Sequence, residues 1–167
     1  RRRIASAGKG EIVVPREGVF PLAMATGGWS RDGRYFLFSS QVSTGDWNVY
    51  ALEPDGAGQR FPVVETRRDD LHASLSPSDD WIVYQSLESG RSEIYLQSFP
   101  EGEQRRQVSA GGGSSPLWSA DGKEFFYVRR DHMLIATSVE FDGDATIGRS
   151  EELFHLRVPP LMIGIVP

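Results

Sequence analysis

The chain has 167 residues, a length that suits one domain, and 39% of them are apolar, 11% aromatic and 25% charged. That composition can build a core, which excludes a disordered tail or a fibre. A net charge of −5 argues against a duplex-binding surface, and the lack of cysteine removes disulfides, thiolate metal sites and thiol nucleophiles.

Glycine is abundant, at 18 residues, which points to many turns. The chain opens on Arg1-Arg2-Arg3, read as a solvated end or the cut edge of a longer chain. No apolar run follows it as in a signal peptide, and no stretch reaches the roughly 18 apolar residues of a membrane span, so no direct membrane insertion is expected. Residues 4–7 and 11–14 read as the third and fourth strands of a preceding unit.

From Trp29 a pattern begins that occurs three times. Its copies are Trp29-Ser30-Arg31-Asp32-Gly33-Arg34-Tyr35-Phe36-Leu37-Phe38, Leu75-Ser76-Pro77-Ser78-Asp79-Asp80-Trp81-Ile82-Val83-Tyr84 and Trp118-Ser119-Ala120-Asp121-Gly122-Lys123-Glu124-Phe125-Phe126-Tyr127. A second pattern follows each: Asn48-Val49-Tyr50, Glu93-Ile94-Tyr95 and Met133-Leu134-Ile135. The physical reading is a strand ending at Trp or Leu, then a tight turn. Pro77 has the fixed φ of a turn, Asp32 and Asp121 can accept local N–H groups, and Gly33 and Gly122 can take positive φ. Asp80 is read as replacing that glycine in the second copy, because Asp tolerates the left-handed region. The next runs, 35–38, 81–84 and 125–128, are apolar without alternation, as in strands buried on both faces. A third strand ends in a turn at Gly56, Gly102 or Gly143. A more polar fourth strand follows at 59–64, at 104–108 and, in the third copy, at 151–156, suiting an outer edge.

Four strands per unit of just over forty residues, repeated in series, specify an all-β chain of β-propeller blades, each a four-stranded antiparallel sheet. The expected division is 1–27 for the end of a preceding blade and a connection, three full blades at 28–71, 72–114 and 115–157, and 158–167 for the start of the next blade or a tail. Such an open array leaves blade faces uncovered, which predicts either a homodimer closing a ring of about seven blades or poor solubility.

The segment Ser76-Pro77-Ser78-Asp79-Asp80-Trp81-Ile82-Val83-Tyr84 resembles the Ser-Pro-Asp-Gly-Arg-x-Ile-x-Phe/Tyr signature of TolB-type, WD-repeat-like propellers. Residues 88–100, with Glu88-Ser89-Gly90 and Glu93-Ile94-Tyr95, and 109–118, with Gly112-Gly113 and Pro116-Leu117-Trp118, resemble linking stretches of propellers in bacterial multidomain proteins. Arg31, Ala120, Leu75 and the Asp79-Asp80 pair depart from the signature at turns and strand ends. The resemblance covers roughly 28–156. It implies an interaction or sensor propeller, as in the C-terminal part of membrane-linked bacterial serine/threonine kinases, and an extracytoplasmic, periplasmic location.

No catalytic motif emerges: there is no Gly-x-Ser-x-Gly elbow and no phosphate loop, since Gly111-Gly112-Gly113 runs into Ser114. Arg129-Arg130-Asp131-His132 has the wrong order for a kinase His-Arg-Asp loop. His72, His132 and His155 lie too far apart in sequence for a helix-spaced metal pair, and Asp142-Gly143-Asp144 lacks the further ligands of a calcium loop. No catalytic residue, metal or cofactor is therefore assigned, and no nucleic-acid partner.

The candidate site is the end of the propeller where loops 41–46, 66–71, 87–92, 110–114 and 129–131 are expected to gather. It carries Arg67, Arg68, Asp69, Asp70, Arg91, Arg129 and Arg130, a mixed-charge rim suited to a protein, peptide or polar ligand. The competing enzymatic reading is the propeller gate of a prolyl-oligopeptidase-like serine peptidase.

Overall fold

A computed structural model describes residues 23–41, 46–54 and 59–157. The strands expected at 4–7 and 11–14, and the next unit at 158–167, lie outside the described residues. Twelve strands form three four-stranded sheets, each in sequential order, and the described residues contain no helix. The first sheet is β1 (Ala23–Trp29), β2 (Phe36–Gln41), β3 (Trp47–Glu53) and β4 (Gln59–Val64). The second is β5 (Asp70–Leu75), β6 (Trp81–Ser86), β7 (Glu93–Ser98) and β8 (Arg105–Gln107). The third is β9 (Ser114–Trp118), β10 (Glu124–Val128), β11 (Met133–Asp142) and β12 (Asp144–His155). All pairings are antiparallel. These are propeller blades, with β1 beside β5 and β5 beside β9 as the inner strands.

The turn from first to second strand is built the same way three times. Ser30 N–H donates to the Tyr35 carbonyl (2.9 Å), Ser76 to Trp81 (2.8 Å) and Ser119 to Glu124 (2.9 Å). The serine hydroxyl, facing the same strand, accepts from the N–H of Tyr35, Trp81 or Glu124. Three residues after each serine the backbone turns left-handed, at Gly33 (φ 75°), Asp79 (φ 63°) and Gly122 (φ 71°). The residue standing in for glycine is thus Asp79 and not Asp80, because the serine sets the turn's register and Ser78 falls where the other copies have Asp32 and Asp121.

Sheets pack face to face through strands two and three. Leu37, Val49 and Ala51 of the first sheet meet Ile82, Tyr84 and Tyr95 of the second. Trp81, Val83, Ile94 and Leu96 of the second meet Trp118, Phe125, Tyr127 and Ile135 of the third. Residues of β6 therefore alternate between the two neighbours, which is why the run is apolar without a break. Each fully buried Leu, Ile or Val adds about 1.5–3 kcal/mol. β10 buries alternately instead, since among the described residues only one of its faces is covered by a sheet. Gly27 sits where a Cβ would lie 2.9 Å from the Leu37 carbonyl oxygen and 3.0 Å from that of Ala73, so only glycine lets the first two inner strands approach this closely.

Two strand limits differ from expectation. β8 is only three residues, and β12 starts at Asp144, not near 151. Thr146, Gly148, Arg149 and Ser150 offered no apolar alternation, yet the tight turn at Gly143 (φ 72°) lets the hairpin zip from its tip.

Candidate functional site

Of the loops expected at one end, 66–71 is bonded to Trp47 and Leu87, and 110–113 to Arg91 and Glu93 with Arg130 against it; residues 42–45 lie outside the described residues. Between β4 and β5, Thr66 N–H donates to Asp70 Oδ2 (2.9 Å), while Thr66 Oγ1 bonds both N–H and carbonyl of Arg68. Asp69 Oδ1 accepts from Trp47 N–H of the first sheet (2.9 Å), and the Asp69 carbonyl accepts from Leu87 N–H in the second (2.9 Å). These bonds consume Asp69 and turn Arg67 and Arg68 outward, both exposed. Asp70 does not reach the surface. It is fully buried, one carboxylate oxygen has no partner among the described residues, and burial raises its pKa. Asp70 is a buried post of the loop and not a contact residue.

The second group forms around residues 109–113. Glu93 is fully buried and accepts from Arg91 Nε (2.6 Å), Gly112 N–H (3.0 Å) and the Ser109 hydroxyl. Arg91 also donates to the Ala110 carbonyl (2.7 Å). Ser92 and Gly113 exchange two bonds, Gly113 N–H to the Ser92 carbonyl (2.9 Å) and Ser92 Oγ to the Gly113 carbonyl (2.5 Å). A Cβ on Gly112 would sit 3.3 Å from that of Arg130, which places the third sheet's 129–131 turn against this loop. Arg129 makes a two-pronged bond to Asp131 (2.9 and 2.7 Å) and a third to Glu152 (2.6 Å). Bonding to Asp131 and Glu152 raises the pKa of the Arg129 guanidinium, and Arg129 holds the Asp131 carboxyl well below the usual range.

The seven expected residues therefore divide by role. Arg91, Arg129 and Arg130 converge on one interblade loop. Arg67 and Arg68 project from another, which is tied through Leu87 to the 87–92 turn. Asp69, Asp70, Arg91 and Arg129 are spent on internal bonds, whereas Arg67, Arg68 and Arg130 make no side-chain bond among the described residues. Sequence reasoning missed the Glu93 clamp, although the Gly-Gly stretch preceding Ser114 signals a backbone packed too tightly for side chains.

At the opposite end of the strands Asp79 crosses to the first sheet. Its carboxylate accepts from Arg31 N–H (2.9 and 2.7 Å) and Asp32 N–H (3.2 Å). Among the described residues no three His, Asp or Glu side chains gather as a metal site would need. Asp144, at the tip expected to be a turn and not a calcium loop, pairs with Arg106 (2.8 Å).

Comparison with solved structures places this geometry. A TolB-type protein from Agrobacterium tumefaciens superposes with a TM-score of 0.64 at 23% identity, over 80% of this chain and 50% of that one. TolB from Acinetobacter baumannii gives 0.62 at 19% identity, over 82% and 34%. The three sheets are TolB-like propeller blades. The TolB-like fold also reaches an oligogalacturonate lyase in complex with manganese, with a TM-score of 0.52 and 21% identity over 75% of this chain and 39% of that one. At such identities the likeness is one of fold alone. Among sequences, an uncharacterised protein of Agrobacterium fabrum (strain C58) is 28% identical over 113 residues, 60% of this chain and 38% of its own. The Tol-Pal system protein TolB of Alkalilimnicola ehrlichii is 39% identical over 62 residues, 36% of this chain and 14% of its own. No family model matches. The chain spans less than two fifths of those sequence relatives and no more than half of the solved chains.

Proposed function

We propose that the chain is part of a non-catalytic propeller that recognises a protein or peptide partner through its arginine-bearing loop end. The observation that supports it is the uncommitted set Arg67 and Arg68, on a loop that Asp69 and Thr66 already fix, and Arg130, on a turn that Arg129 and Asp131 brace. Pre-fixed loops spare a partner the entropy of ordering them. Guanidinium groups suit bidentate capture of carboxylates, so an acidic segment fits best. The reading includes an extracytoplasmic location and a larger parent protein of the kinase-linked signalling type, both from the resemblance of its motifs; the coding sequence on either side tests the latter.

The experiment is affinity capture from the source organism with the wild-type protein and with Arg67→Glu/Arg68→Glu/Arg130→Glu. The wild type should enrich a partner that the triple variant loses at least tenfold, with unchanged circular dichroism. Equal capture by both, or peptide hydrolysis by the purified protein, would sink the reading.

A further inference from the structure

A second surface lies at the other end of the inner strands, next to the serine turns. Among the described residues five large apolar side chains are exposed, and two of them, Trp29 (59%) and Leu117 (62%), line one open cavity of about 330 Å³. Leu75, Pro77 and Trp118 complete its apolar wall, and Trp118 is held there by its indole N–H to the Ser74 carbonyl (3.1 Å).

Blade stacking does not account for Leu117. The matching position, one residue before the strand's closing Trp or Leu, is Gly28 in the first sheet and Ser74 in the second. A leucine there adds apolar surface toward the cavity where the repeat elsewhere is small or polar. Two charged groups, Arg31 and Asp79, line the rim, and they differ in how they are bonded. Both oxygens of the Asp79 carboxylate are taken up by the N–H groups of Arg31 and Asp32. Arg31 also lines the cavity and its side chain makes no bond among the described residues, so its guanidinium is the hydrogen-bonding group still open to a ligand there. An apolar wall beside a free guanidinium complements an apolar group carried next to a carboxylate.

We propose that this cavity receives an apolar side chain adjacent to a carboxylate, presented by a peptide segment of a protein partner. The proposal rests on the reading of the propeller as a protein-binding module, but uses a surface separate from the arginine rim. β5 runs from one to the other, Asp70 at the rim end and Leu75 at the cavity, about 15–20 Å of extended chain.

The test needs no partner. N-acetyl-L-phenylalanine and its uncharged amide are titrated into the protein while the indole resonances of Trp29 and Trp118 are followed. The acid should produce saturable shifts and bind at least tenfold more tightly than the amide. Arg31→Gln should reduce the acid to the level of the amide, and Leu117→Ser, which installs the residue of the second blade, should abolish both. Arg67→Ala/Arg68→Ala should leave the titration unchanged, so that a failed rim and a failed cavity are told apart. Equal binding of acid and amide, shifts unaltered in Leu117→Ser, or indoles that do not respond because a further sheet covers them would each overturn the proposal.

Discussion

Asp79 stands where the other two turns have glycine. A left-handed aspartate costs on the order of 1 kcal/mol, and its carboxylate offsets this with bonds to Arg31 and Asp32 that glycine could not make. Asp79→Ala keeps the strain and loses the bonds, so it should destabilise by about 1–3 kcal/mol in urea unfolding. Asp79→Gly relieves the strain and should lose less; equal losses would argue against the strain, and no loss in either variant against the latch. Asp70 makes a pH-dependent prediction. Burial raises its pKa above the ordinary 3.8, so the native chain holds this proton more firmly than the unfolded one. Its contribution to stability then falls as pH rises from about 4 through the raised value. Unfolding free energies of Asp70→Asn and wild type should diverge in the variant's favour across that window and run parallel outside it. A constant difference throughout would show that Asp70 does not titrate abnormally.

At the level of strands and loops, two glycines carry the packing. A Cβ on Gly113 would meet Ile94 Cγ1 at 2.6 Å, and one on Gly27 would meet two backbone oxygens. Gly27→Ala and Gly113→Ala should each cost about 1–3 kcal/mol by thermal melting, whereas Gly28→Ala, with nothing within 4 Å, should melt near the wild type. The strands themselves were largely legible. The Ser-x-x-Gly turn and the unbroken apolar runs located β2, β6 and β10, and β4 spans the expected 59–64. What escaped was set by partners far away in sequence. The start of β12 follows from zipping against β11, and the left-handed residue of the second turn from the serine's register. The repeat dictates which connections share an end, and Arg91 and Arg130 do both lie against the 109–113 loop. The burial of Asp70 was not legible, because an acidic pair in a loop reads as solvated until Thr66 is seen to fold back onto it.

Across the whole molecule, the third sheet's outer face is the one to watch. Leu37 and Val49, then Val83 and Ile94, are fully buried against the next sheet. Their counterparts Phe126 and Leu134 are half-buried. The homodimer expected from open blade faces would use this surface. Light scattering over a range of concentrations should show mass rising with concentration, and Phe126→Glu should return it to a monomer. A wild type that stays monomeric throughout would remove the dimer from consideration.

Each sheet is also drawn from one uninterrupted stretch of chain, and every ladder joins sequence neighbours. A duplication or deletion of one such stretch therefore breaks no strand pairing, and needs only a new fit between blade faces and a loop that closes. Families built this way can change ring size by copying genes in short segments while their turns drift. The Asp79 latch then marks a seam between two particular blades, a local memory of order that a freshly copied blade with glycine in its turn would lack.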